Sequence, residues 1–309
     1  MGEHVLVIGG TLLDTKGKPD AGLEPGTSNP GQISRARGGT ARNVAENLAR
    51  LGTNVLLITA VGNDTIGRQL LAQTAEAGVN VDYSLTIDGA NTGSYLALLD
   101  EFGALAVALD DSGVMENITP AHLHRHRRLF RDAEMIMMDG SLTPPAMNTI
   151  VRLATQYDVP LCADPSSARL AHKLLPYLSR LHLVVPNEVE VAELLEVDFH
   201  GFDPNATLAL ARGLVNLGVG HAVITLSDFG LDYATSDEVG YIPPSYRKMV
   251  DTTGTGDAVT AAILFGMING LPTIECIRLG AGAASLTLHS SDTVVPDLSL
   301  DMLYDHLIV

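Results

Sequence analysis

Short runs of β-branched and apolar residues alternate along this chain with longer segments at helical period, and few architectures accept that order. The runs at 5–9, 54–61, 135–138, 160–163, 183–185 and 222–226 read as buried strands. The segments 40–51, 65–77, 257–268 and 273–288 read as helices. In the first, Val44, Leu48 and Leu51 share one face, and Gly52 and Gly78 stop the first two. Parallel strands need long crossovers, so the alternation predicts an α/β fold with a mainly parallel sheet. Two regions break it. Residues 11–37 are loop-like and rich in Gly and Pro. Residues 93–110 read as a hairpin turning at Glu101-Phe102-Gly103. Inserted strands beside a polar loop predict a small β lid over one end of the main sheet.

The chain has 309 residues and is 46% hydrophobic, ample for a large core. That length fits two domains, or one α/β domain with an insertion; the reading here is one domain over 1–309, with a lid from about 11–37 and 93–110. No run of 18 apolar residues is present, so no membrane span is expected. Met1-Gly2-Glu3-His4 leads straight into apolar residues, without a basic stretch or a cleavage site, so no signal peptide is expected. Leu6 stands where a myristoylation signal has Ser or Thr. Cys162 and Cys276 lie in apolar runs and read as buried thiols, in keeping with a reducing, cytoplasmic setting. The net charge of −17 repels nucleic acid and anionic lipid, so neither is an expected partner. It repels nucleotide phosphates too. A phosphate site here must rest on backbone dipoles, a few basic groups or a metal.

The stretch DTTGTGDAVTAAILFGMING, residues 251–270, supplies such a site. Gly254 and Gly256 allow backbone angles closed to other residues. Consecutive N–H groups of Gly254–Thr255–Gly256 can converge on one anion, and the helix that follows adds its positive end. Asp257 falls on the first turn, where a carboxylate can take the proton of an attacking hydroxyl. A bare G-x-G-D reads first as a plain glycine turn with Asp257 capping the helix. The full string resembles the D-T-x-G-x-G-D signature of the ribokinase (PfkB) family of sugar and nucleoside kinases, through Asp251, Thr252, Gly254, Gly256 and Asp257.

Further motifs follow in family order. GGTARNVAENLARLG at 38–52 resembles the G-G-x-x-x-N helix entry, with Gly38 and Gly39 giving close backbone approach and Asn43 a donor and an acceptor. Asp14 resembles the acid that holds two sugar hydroxyls. PNEVEVAELL at 186–195 resembles the N-x-x-E motif; the resemblance implies that Asn187 lies at the nucleotide and that Glu190 places Mg²⁺ through water. VITLSDFG at 223–230 resembles the strand and turn at the nucleotide, implying contacts from Thr225, Ser227 and Gly230. Asp251 and Thr253 flank a monovalent cation position in several relatives, which implies K⁺. The resemblance covers residues 9 to about 290. It implies a three-layer α/β/α ribokinase-like fold, ATP as phosphoryl donor, and a homodimer joined through the lid.

Within the family the chain looks most like the pseudouridine kinase group. SNPGQI at 28–33, residues 38–52, NTGSYLALLDEFGALAVALDD at 91–111 and DPSSA at 164–168 carry this. The implied reaction moves the γ-phosphoryl of ATP to the 5′-hydroxyl of pseudouridine. Asn29, Ser94 and Tyr95 are candidates for base or ribose contact. Strand alternation points only one of Ser94 and Tyr95 inward. Thr40 and Asp110-Asp111-Ser112 depart from the group's pattern. Another family kinase, acting on ribose, a different nucleoside or a sugar phosphate, stays open, and a phosphorylated substrate would need Arg35, Arg37 or Arg42. A non-catalytic nucleoside-binding protein is disfavoured by Asp257 and its glycines.

Overall fold

The computed structural model describes residues 2–198, 201, 203–227, 230–244, 252–290 and 292–306. Its main sheet has eight strands in the order Val239–Ile242, Leu231–Ala234, His221–Thr225, Leu183–Val184, Leu161–Asp164, Ala133–Asp139, His4–Ile8 and Val55–Ile58. The last six are parallel; the first two add an antiparallel hairpin at one edge. Period-two alternation sends Val5 and Val7 to one face, with Val55, Met135 and Met137, under the helices Thr40–Arg50, Thr255–Ile268 and Thr273–Leu288. Leu6 and Ile8 go to the other face, with Ile58, Ile136 and Met138, under helices that include Pro144–Tyr157, Glu188–Leu195 and Pro204–Asn216. Both faces are covered, which is why these strands read as continuous apolar runs. The result is the three-layer α/β/α architecture expected from the sequence.

Helix Thr255–Ile268 is buried from Ala258 to Gly266 and packs on both Thr40–Arg50 and Thr273–Leu288. Residues apolar on every side suit a helix wrapped by neighbours. Close approach is set by Gly280, where an added Cβ would lie 3.1 Å from Ile263. Truncating a fully buried side chain such as Ile263 costs about 2–5 kcal/mol. No helix among the described residues is long and apolar enough to cross a membrane.

Two segments differ from the sequence reading. The run 54–61 divides: Val55–Ile58 stays in the main sheet, and Ala60–Gly62 pairs with Leu85–Ile87 in a separate two-stranded sheet. The region 11–37 is more regular than its composition indicates. It forms strands Leu12–Pro19 and Gly31–Gly38, paired in register from Leu12↔Gly38 to Pro19↔Gly31. Their side chains are largely polar or glycine, so no apolar face betrays the period of two. With Ser94–Leu99 and Leu105–Asp111 they make a four-stranded sheet beside the main one, in the order Gly31–Gly38, Leu12–Pro19, Ser94–Leu99, Leu105–Asp111. The turn of the last pair is set by Asp100, whose Oδ1 accepts from the N–H groups of Phe102 and Ala104.

Candidate active site

A cavity of about 500 Å³ opens at the carboxyl ends of the parallel strands, where α/β sheets bind ligands. It collects residues from every part of the chain. Gly10 follows the first strand, Asp139 and Asp164 end two others, and Asn187 and Thr225 lie where two more run out. The tip of helix Thr255–Ile268 forms one wall, and Asp14, Tyr95 and Asp110 of the small sheet form another.

Gly254 is the N-cap of that helix with φ of 82°, and an added Cβ would come within 2.1 Å of the Thr293 carbonyl. Only glycine meets both conditions. Gly256 is a different case and corrects the sequence reading. Its φ is not positive, and an added Cβ would meet nothing within 4 Å. A glycine there leaves open space at the helix tip, among first-turn N–H groups of which that of Thr255 donates to the Thr252 carbonyl at 3.3 Å. The Thr255 hydroxyl is buried beside them without a hydrogen-bond partner.

Asp257 sits on the first turn, half-buried at the cavity wall, and its Oδ2 accepts from Asn43 Nδ2 at 2.6 Å. Its carboxyl is pushed up to about 7. Burial is the main cause. The Asn43 amide opposes it, the Asp14 carboxylate adds to it, Arg42 opposes it and Asp139 adds again. Asn43 is held one turn into helix Thr40–Arg50, whose N-cap, Gly39, has φ of 94° and no side-chain cap. The cap comes instead from the main sheet. Asp139 Oδ2 accepts from the N–H groups of Gly10 at 2.8 Å and Ala41 at 3.0 Å. Gly38 leaves room for Asp14, whose Oδ1 would lie 2.1 Å from any added Cβ.

Asn187 and Glu190 form a capping box on helix Glu188–Leu195. Asn187 Oδ1 accepts from the Glu190 N–H at 2.9 Å, and Glu190 Oε2 from the Asn187 N–H at 2.9 Å. Glu190 lines the cavity and is pushed up to about 7, first by burial and then by Asp257 and Glu188, against the Asn187 N–H. Asp164 is raised well above the usual carboxylate range by burial, then by Glu190 and Asp257. No group of three or more His, Cys, Asp or Glu among the described residues is gathered tightly enough to hold a metal directly. The donor set instead suits Mg²⁺, which keeps its waters and takes one or two carboxylates with substrate phosphates.

The cavity thus brings together Asp14, Gly39, Asn43, Tyr95, Asn187, Glu190, Thr225, Ser227, Gly230, Thr253, Gly254, Thr255, Gly256 and Asp257 from the residues expected by sequence. Ser94 is half-buried next to Tyr95 but does not line it, and Gly38 lies behind Asp14. Asn29 is elsewhere, in the connection between the first two strands of the small sheet, with its amide bonded to Glu24. Asp251 lies outside the described residues. Of the three arginines, Arg42 is fully buried and bonded to Glu46, and Arg37 also reaches Glu46, at 3.3 Å. Arg35 lines a small side pocket with Lys16 and Thr253. Among the wall residues, Asp139 escaped the sequence reading, and Ser166, within the quoted DPSSA stretch, was given no role there. Ser166 has φ of 64° and a buried, unpartnered hydroxyl. An acid at the end of a parallel strand was the available signal for Asp139.

Comparison with known proteins bears directly on this geometry. Pseudouridine kinase of Escherichia coli K12 is 34% identical over 299 residues, covering 96% of this chain and 94% of the relative. Arabidopsis thaliana ribokinase, solved with ribose and ATP, superposes with a TM-score of 0.84 at 20% identity, covering all of both chains. An E. coli protein solved with ATP and Mg²⁺ gives a TM-score of 0.82 at 17% identity, covering 98% of each chain. The fold is therefore ribokinase-like. The model of the pfkB family of carbohydrate kinases matches residues 3–299, and the chain belongs to that family, a phosphotransferase acting on a hydroxyl group.

Proposed function

We propose that the protein transfers the γ-phosphoryl of ATP to the 5′-hydroxyl of pseudouridine, giving pseudouridine 5′-phosphate and ADP. The observation that carries the chemistry is the Asp257 carboxyl, raised to about 7 at a glycine-turned helix tip that opens on the cavity. Such a group is an effective base near neutral pH. It takes the proton of the acceptor hydroxyl, the oxygen bonds to the γ-phosphorus, and the bond from that phosphorus to the bridging oxygen breaks as ADP leaves. The amides at Gly254–Thr255–Gly256 stabilise charge on the transferring group. Mg²⁺, when bound, neutralises phosphate charge, with Glu190 holding its waters. The purine fits the apolar end of the cavity, formed by Leu226, Leu231, Pro243, Ala281, Ala284 and Leu288. Asn187, Thr225, Ser227 and Gly230 lie on the same side.

The acceptor belongs at the other end, where Asp14 and Asn43 offer hydroxyl partners and Tyr95 faces in from the small sheet. That sheet then acts as the lid, excluding water as a competing acceptor. Similarity to the E. coli pseudouridine kinase supports this nucleoside as acceptor; ribose or another nucleoside is the alternative. A substrate panel followed by ADP release decides between them, and faster turnover of ribose than of pseudouridine would displace this reading. A K⁺ requirement involving Asp251 and Thr253 belongs to the same reading and is checked by replacing K⁺ with tetramethylammonium. The outer face of the small sheet exposes Leu96, Leu98, Val107 and Leu109, with Leu96 opposite Leu109 and Leu98 opposite Val107. A two-fold dimer through this face would cover them. A cytoplasmic site of action accords with the two free cysteines.

A further inference from the structure

Among the described residues Arg42 is the largest fully buried side chain, with 0% exposure, and the phosphoryl-transfer scheme gives it no role. A guanidinium has five donors and no acceptor, so every neighbour it satisfies must present an oxygen. Its Nε donates to the Gly38 carbonyl at 3.2 Å and its Nη1 pairs with Glu46 Oε2. Its Nη2 donates to the Arg37 carbonyl at 3.1 Å, to Thr293 Oγ1 at 3.3 Å and to Asn43 Oδ1.

The last contact has a consequence for the base. The Asn43 amide has two chemically opposite ends. Because Arg42 can only donate, it takes the oxygen, and the amino end must face the other way. That end meets Asp257 Oδ2 at 2.6 Å. A flipped amide would set a carbonyl oxygen against the carboxylate and disfavour its charged form. The same guanidinium also ties down the root of the small sheet through Arg37 and Gly38. Thr293 Oγ1 bonds the Arg37 carbonyl at 2.6 Å, and the Thr293 backbone walls Gly254.

We propose that Arg42 is a positioning residue for phosphoryl transfer: it fixes the Asn43 amide with its amino end on Asp257 and couples the glycine turn to the root of the lid. The inference rests on the reading of Asp257 as the base. Loss of Arg42 does not strand a buried charge, since Glu46 keeps Arg50 at 2.7 Å and Arg37 at 3.3 Å.

The test uses Arg42→Lys, which keeps the charge and loses the fork, and Arg42→Gln, which loses the charge. Steady-state kinetics with ATP and pseudouridine are measured across pH. Misplacing a reacting group costs up to about 100-fold, so each variant is expected to lower kcat roughly 10- to 100-fold with KM for ATP within about twofold. The charged groups facing Asp257 are Arg42 from its helix, Asp14 from the small sheet, Asp139 and Asp164 from strand ends, and Glu190 from helix Glu188–Leu195. Removing this cation leaves acids as the other described groups in this set, so Arg42→Gln should also move the acidic limb of kcat/KM to higher pH. In an Asn43→Ala background, Arg42→Lys should add little further loss in kcat. Folded variants with unchanged kcat and pH limb would overturn the proposal. So would losses that multiply with Asn43→Ala, or failure of both Arg42 variants to fold. Asp257→Asn, assayed in parallel, separates the two ideas: a retained rate removes the base itself, whereas an inactive Asp257→Asn beside an unaffected Arg42→Lys removes only this inference.

Discussion

The tip of helix Thr255–Ile268 and the small sheet face each other across one cavity, yet they are built on opposite terms. The helix is buried from Ala258 to Gly266 between two neighbours, which hold its half-buried tip in place at the cavity. The small sheet covers only one of its faces; the other shows Leu105 at 57% and Leu109 at 67% exposure. On the proposed reading, chemistry that tolerates little displacement sits on the first, and groups that admit and release a substrate sit on the second. On that reading, the reaction type belongs to a packed element and acceptor choice to an exposed one.

The strongest way to break this division is Asp257→Asn, which keeps the shape and removes the base. It should lower kcat about 10²- to 10⁴-fold with little change in melting temperature, read by ADP release and calorimetry. A mild effect would move the chemistry elsewhere on the wall. Gly254→Ala comes next, since its Cβ must fit at φ of 82° against the Thr293 carbonyl. A loss of about 10²-fold in kcat is expected, as for removal of a main-chain anion donor.

The pH profile sharpens the picture. With Asp257 at about 7, kcat/KM should fall as pH drops through that value, because the protonated acid accepts no proton. Stability runs the other way. Glu190 has a folded pKa of about 7, above its unfolded value, so the folded state binds more protons between the two. Its contribution to stability is present in acid and lost as pH rises through 7. Glu190→Gln keeps the capping acceptor and removes the buried charge. It should raise the melting temperature of the nucleotide-free protein by a few degrees at pH 8 and have no effect at pH 4. The smallest effect on the fold belongs to the small sheet. Leu109→Asp should leave melting temperature within a few degrees while shifting sedimentation from dimer to monomer; an unchanged profile would show that this face is not the interface.

Much of the main sheet was legible because its strands are covered on both faces and helices such as Thr40–Arg50 carry one apolar face. Val5–Ile8 and Val44–Leu48–Leu51 announce themselves by apolar period alone. The small sheet was less so. Lys16, Asp14, Arg35 and Arg37 lie in regular strands without an apolar stripe to mark them. Among site residues, Gly254 and Asp257 could be read from spacing, since a tight turn against a helix start needs neighbours in sequence. Asp139 could not, because its partners Gly10 and Ala41 lie about a hundred residues away or more.

The order of strands and helices, the acid at the helix tip and the glycines before it follow from local sequence, because hydrophobic period and backbone angle act over a few residues. The protonation of Asp257, the direction of the Asn43 amide and the commitment of Arg42 to Glu46 were decided only by the fold. Desolvation and hydrogen-bond direction depend on which distant groups close around a side chain, and no stretch of sequence contains them.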